Sequence, residues 1–217
     1  MAVLVLALDT ATPAVTAGVV ELTADGCVQR SVRVATDARK HAELLMPGIV
    51  AACDEAGIAL AELAAVVTGA GPGPFTGLRV GMVTAAALGD ALGIPVHGVC
   101  SLDAIAHGLG PVVVVTDARR REVYWAAYDA DGHRTHGPHV EAPAALLDRL
   151  PDVPAAAGAS AEVTSLPVIG PAAPTPAGLV AVAADALRAG VVPGPLEPLY
   201  LRRPDAQEPG ARKRVSV

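Results

Sequence analysis

The sequence predicts an α/β protein of two lobes, each built on a mixed β-sheet, and three observations lead there. An apolar run, Val3 to Leu8, ends in Asp9, and after a short turn a second run spans Ala14 to Val20. The same unit returns about half a chain later: Val112 to Val115, then Asp117, a turn through Arg119 to Arg121, and the run Val123 to Tyr128. Apolar runs bounded by turn residues read as buried strands, so each unit is a hairpin with an Asp at its turn. Between the two hairpins, helical and strand-like segments alternate, which calls for a largely parallel or mixed sheet with helices on its faces. The expected division is a first lobe over residues 1–108, a second over 109–205, and a basic tail over 206–217 without fixed order.

Taken in order, the first hairpin is followed by a helix. Ala42, Leu45, Met46, Ile49, Val50 and Cys53 fall at helical spacing and read as one apolar face. Thr36 or Asp37 suits its N-cap and Gly57 its stop, while Pro47 within the span should kink it. Leu63 to Thr68 reads as a buried strand leading into the stretch GAGPGPFTGLRVG, residues 69–81, and Thr76 to Leu92 as a second helix. Pro and Ala crowd the region from Pro138 to Pro176, where few elements are legible. Leu179 to Leu187 reads as a helix and PLEPLYLR as an extended segment.

Composition narrows the class. The 217 residues suffice to bury a core, and with 52% hydrophobic but only 2% aromatic residues that core must be built from Ala, Val and Leu. No apolar run approaches the ~20 residues of a membrane helix. The opening MAVLVLALD lacks the basic start of a secretion signal. Cys27, Cys53 and Cys100 form no CxxC pair, and an odd number does not suit a disulfide framework, so a cytoplasmic protein is expected. A formal charge of −6 provides no global basic field for nucleic acid. The local exceptions, Arg119 to Arg121 and the tail EPGARKRVSV, read first as solvated surface and chain end.

The glycine-rich stretch resembles a phosphate loop only superficially. A Walker loop places Lys and Ser/Thr after its last Gly, whereas Leu78 and Arg79 follow Gly77. Pro72 and Pro74 also remove two N–H donors from the loop. Gly77, Gly81, Ala85 and Gly89 lie four apart on the second helix, and each interior Gly costs about 1 kcal/mol relative to Ala. Close approach of another backbone would justify that cost. That backbone is either the protein's own first helix or sheet or a partner's; in the second reading the strip, with Leu45 and Ile49 of the first helix beside it, forms an outward patch for a partner subunit.

The motifs LALDTAT, HAELLMP, GAGPGPFTGLRVG, DARRREVY and PLYLR, in this order, resemble the TsaB (YeaZ) family across almost the whole chain. The resemblance implies the two-lobed actin and sugar-kinase (ASKHA) fold, in keeping with the repeated hairpin. It further implies a non-catalytic subunit of the machinery that makes threonylcarbamoyladenosine in tRNA, next to the anticodon. Its implied partners are a TsaD transferase, which would hold ATP and a metal, a TsaE ATPase, and a second copy of the chain when alone. Contact with tRNA would come only through the complex.

The residues fit a subunit without its own chemistry. Kinases of this fold carry Asp-x-Gly-Thr at the first hairpin, where Gly admits phosphate; here the stretch is Asp9, Thr10, Ala11, Thr12. Asp9 and Asp117 read as turn builders. If the cleft held a cofactor, Asp9, Thr10 and Thr12 would be the residues to touch it, in the alternative reading of a small ATP-dependent phosphotransferase. No metal site is expected: His41 has no second His at 37, 38, 44 or 45, and His133, His136 and His139 lie in what reads as a polar loop. No HExxH or GxSxG motif supports a peptidase, although Ser101 lies near His97 and Asp103 in sequence.

Overall fold

The computed structural model describes residues 2–37, 39–150 and 152–202, so the expected basic tail over 206–217 lies outside the described residues. The first sheet contains β1 (Val3–Asp9), β2 (Ala14–Leu22), β3 (Cys27–Gln29), β4 (Arg33–Thr36), β5 (Ala65–Gly69) and β6 (Val96–Val99). Its order is β3-β2-β1-β5-β6, with β4 also paired to β2. The hairpin β1–β2 is antiparallel and β1–β5–β6 parallel, so the sheet is mixed. The second sheet contains β7 (Val112–Asp117), β8 (Val123–Tyr128), β9 (Arg134–Glu141) and β10 (Ala156–Ala157), in the order β10-β7-β8-β9. Strand for strand this repeats the first sheet: an antiparallel hairpin, a third antiparallel strand outside it, and a parallel strand against the hairpin's first member. Even the sixth position has an echo, a parallel bridge from Ala156 to Val168. The fold is the duplicated two-lobed ASKHA architecture.

The apolar runs alternate between two cores, as a strand covered on both faces requires. On β1, Leu6 and Leu8 join Val15, Leu45, Ile49, Val66 and Ala85 under the helices α1 (His41–Ala56) and α2 (Phe75–Leu92). Val5 and Ala7 instead join Val20, Leu179, Val180 and Ala183, under α5 (Pro176–Arg188). The last helix among the described residues therefore completes the first lobe. A short helix, α3 (Ser101–Ala106), lies between α5 and the second sheet, where Leu102 and Ile105 pack on Val112, Val114 and Tyr128. On that sheet's far face, Leu146 of α4 (Pro143–Asp148) packs with Val113, Val115 and Trp125. From Val191 to Arg202 the chain runs without regular structure and returns to the first lobe, where the Leu199 N–H donates to the Ala70 carbonyl at 2.8 Å.

Three expectations are corrected. Helix α1 starts at His41 with no side-chain cap, because Asp37 spends its carboxylate one turn earlier on the Arg39 N–H. Its buried side runs through His41, Leu45, Ile49, Ala52 and Cys53, leaving Ala42, Met46 and Val50 outward. His136 and His139 lie on strand β9, not in a loop; the strand passes through Gly137–Pro138 with a register shift against β8.

The largest correction concerns the expected partner patch. Leu45, Ile49, Gly77, Gly81 and Ala85 are all buried, and they face the molecule's own first sheet. A Cβ at Gly81 would lie 2.5 Å from Thr10 Oγ1 and 3.4 Å from Leu8 Cδ1, and one at Gly77 would lie 2.9 Å from the Thr10 carbonyl. What justifies the glycines is the approach of Thr10, the residue just after β1, through its backbone at Gly77 and its side chain at Gly81. Gly81→Leu should therefore unfold or badly weaken the monomer, by about 3 kcal/mol or more, a fall in melting temperature of roughly 10 °C. Circular dichroism melting reads this, and a wild-type transition would contradict the inward placement.

Candidate functional site

The β1–β2 turn and the β7–β8 turn approach each other across the cleft between the lobes, with the glycine loop and the start of α2 between them. Thr10, Thr12, His41, Gly77 and Arg119 line one small cavity of about 180 Å³ there. A neighbouring one of about 140 Å³ is lined by Gly73, Phe75, Arg120, Tyr124, Tyr200 and Arg202, with Arg119 shared. Both are smaller than the ~300–1,000 Å³ of typical small-molecule sites.

Asp9 ends β1 fully buried. Its Oδ1 accepts the Ala11 N–H at 2.8 Å, which builds the turn, and its Oδ2 accepts the Ser101 hydroxyl at 2.5 Å from the start of α3. Burial pushes its carboxyl up to about 6, against the opposing effects of the Ser101 and Ala11 hydrogen bonds and of nearby His41. Gly69 lies so close that a Cβ there would collide with the Asp9 carboxylate. Thr10 is equally committed. Its hydroxyl donates to the Gly77 carbonyl at 2.7 Å and accepts the Gly81 N–H at 2.9 Å, the two groups that an α-helix would pair with each other. The side chain is thus threaded into the first turns of α2, and the missing β-carbons at 77 and 81 provide the room. Thr12 Oγ1 accepts the Ala14 N–H at 3.2 Å, and the Thr12 carbonyl pairs with His41 Nε2 at 2.9 Å.

The glycine loop completes the closure. A Cβ at Gly73 would collide with the backbone of Ala11, and Gly71 sits at φ 95°, where only glycine is at ease. In a phosphate loop such glycines would leave room for a ligand. Here the β1–β2 turn itself fills that room, and the side-chain oxygens of Asp9 and Thr10 already have partners within the chain.

A family model described as TsaD, tRNA N6-adenosine threonylcarbamoyltransferase, matches residues 34–190. An uncharacterised protein of Mycobacterium tuberculosis is 57% identical over 206 residues, 94% of this chain and 93% of the relative. The tRNA threonylcarbamoyladenosine biosynthesis protein TsaB of Escherichia coli is 34% identical over 145 residues, 64% of this chain and 61% of the relative. YeaZ from Pseudomonas aeruginosa superposes with a TM-score of 0.72 at 28% identity, covering 92% of this chain and all of that one. The chain belongs to the TsaD family, among its TsaB (YeaZ) members.

The remaining residues singled out in the sequence of this TsaB-family chain build no catalytic constellation, although His97 and Asp103 line one cavity together. Ser101 turns to Asp9, while Asp103 accepts from Tyr128 Oη at 2.7 Å and from Arg134 at 3.2 Å, so Ser101, His97 and Asp103 form no relay. His139 packs on the Trp125 ring at 5.1 Å. His133 gathers with Asp129 and Asp131 in an exposed turn, but Asp129 Oδ1 is occupied there by the N–H groups of Asp131 and His133. Asp117 is a turn builder, accepting the Arg119 N–H at 3.0 Å. Two features escaped the sequence: the Ser101–Asp9 pair, 92 positions apart, and the return of Tyr200 and Arg202 to the cleft.

The buried carboxyl makes a testable signature. Because the folded state raises Asp9 from its ordinary 3.8 to about 6, the neutral form is the better buried one. Its contribution to stability is present below about pH 4 and lost as pH rises through 6, a difference of about 3 kcal/mol. Asp9→Asn keeps the turn hydrogen bond and should erase this rise on acidification. Melting temperatures of both proteins between pH 4 and 7.5 measure it, and parallel curves would refute it.

Proposed function

We propose that this chain acts in threonylcarbamoyladenosine formation on tRNA as a non-catalytic subunit that supports a TsaD-type transferase. One observation carries the reading: the site where the fold would hold a phosphate is closed by the chain itself, through Gly73 against Ala11 and Thr10 inside α2. The coarse role rests on the relatives named TsaB. The same closure speaks against the alternative of an ATP-dependent phosphotransferase. ATP and a metal then belong to the transferase partner. A TsaE-type ATPase, a homodimer of the free chain and a cytoplasmic location complete the proposal; among the described residues no helix is long and apolar enough to cross a membrane.

With the glycine strip turned inward, the partner surface moves to the opposite sides of the same helices. Met46 and Val50 on α1 and Val83 on α2 are exposed there, Val83 at 66%. These apolar side chains supply the anchors that an interface core uses. Purification of the tagged chain from its own cells should recover the TsaD-type transferase, and recovery without it would remove the proposal's main support. Val83→Asp should leave the monomer's melting temperature within a few degrees. It should also weaken co-elution with the transferase at least tenfold, because it buries a charge at the interface.

A further inference from the structure

We propose that the groove between Phe75 and the β7–β8 turn binds the sugar–phosphate backbone of RNA, so that this subunit touches tRNA directly. The inference rests on the functional reading above for its choice of RNA, and on the following residues for its place. Arg119, Arg120 and Arg121 occupy the turn in succession at φ 62°, 53° and 62°, a left-handed run that L side chains rarely adopt. Glycine would form this turn without strain, yet each position carries an exposed guanidinium side chain. Arg119 and Arg120 line the groove. Arg202 reaches the other side of the turn, donating to the Ala118 carbonyl at 3.1 Å and pairing with Glu122.

The opposite wall is aromatic. Phe75 and Tyr200 stack with centroids 5.2 Å apart and are 40% and 37% exposed, in a chain with only five aromatic residues. Arg79 lies over the Phe75 ring at 3.9 Å and donates from Nε to Tyr200 Oη at 2.7 Å. Arg119, Arg120 and Arg202 thus line the groove, with Arg79 and Arg121 at its margins, in a chain of formal charge −6; Arg119 pairs with Asp117 and Arg202 with Glu122. Guanidinium groups match phosphate geometry, and exposed aromatic faces stack unpaired bases. A cavity of about 140 Å³ does not hold a whole nucleotide, whereas the phosphodiester of a strand laid along the groove needs only its arginine-lined mouth.

The test uses the full chain and an unmodified tRNA transcript, with binding read by fluorescence anisotropy at several salt concentrations. Arg119→Gly/Arg120→Gly removes two charges at positions whose backbone suits glycine, so the melting temperature should not fall. Affinity should drop about tenfold or more and the salt dependence should flatten, by roughly 0.7–0.9 in logarithmic slope for each phosphate that is no longer neutralised. Arg119→Asn/Arg120→Asn, which also tolerates this conformation, should behave alike. Unchanged affinity in both variants would overturn the proposal. So would an ATP-dependent rise in melting temperature that the variants abolish while RNA affinity stays intact, or loss of transferase capture without loss of RNA binding. Failure to capture the transferase with the wild-type chain would instead strike at the functional reading, leaving the RNA measurement to stand on its own.

Discussion

The hydroxyl of Thr10 holds the first lobe in register. It joins the end of β1 to the second turn of α2 by standing between the Gly77 carbonyl and the Gly81 N–H, inside the helix's own hydrogen-bond ladder. A side chain can enter a helix this way only where neighbouring β-carbons are missing, which sets glycine at 77 and 81 and accepts their cost in helix propensity. The helix axis is then drawn close enough to the sheet for the loop before it to press Gly73 onto Ala11. With the loop so seated, the cleft narrows to two small cavities. The glycine loop pressed onto Ala11, the buried carboxylate beside it and the glycine spacing are thus tied together by one inserted hydroxyl.

The first lobe shows which features a sequence displays and which it conceals. Both hairpins were legible because a run such as Val3 to Leu8, apolar at every position, fits a strand covered on two faces and little else. The stop at Gly57, φ 70°, was equally plain. Helix α1 was misaligned because Met46 and Val50 are as apolar as Leu45 and Ile49, so no polar face marked the outside. The glycine row is legible as a close approach, but the sequence leaves its neighbour open between the chain's own sheet and a partner subunit, and the structure decides for the sheet. A strip of small residues looks alike whether it faces in or out, and what decides is Thr10, 71 positions from Gly81. Strand β9 was missed because His, Gly and Pro depress strand propensity, which its pairing with β8 overrides.

The shortage of aromatic residues gives the core a particular texture. In the second lobe the large buried groups are Trp125 and Tyr128, and each is tethered by its polar end: Trp125 Nε1 to Glu141 at 2.6 Å and Tyr128 Oη to Asp103 at 2.7 Å. Burial and the neighbouring Asp103 carboxylate raise the Tyr128 phenol, so it remains a neutral donor. Cys100 beside it is pushed up to about 12, chiefly by burial and then by Asp103, and so remains an unreactive thiol filling space. The first lobe does without such anchors and relies on the interdigitation of Val, Leu and Ala between sheet and helices.

The placement of α5 bears on how the molecule is born. Val5, Ala7, Val20 and Leu22 form an apolar sheet face whose lid, Leu179 to Ala184, is translated long after them. At roughly 5–20 residues per second, a ribosome needs on the order of 10–30 s to reach the lid after the first hairpin has emerged. Throughout that interval the nascent hairpin is half-covered and adhesive, a natural client for ribosome-bound chaperones. The first lobe reaches its final form only when α5 folds back upon it, so the two halves of the duplication mature together rather than in sequence.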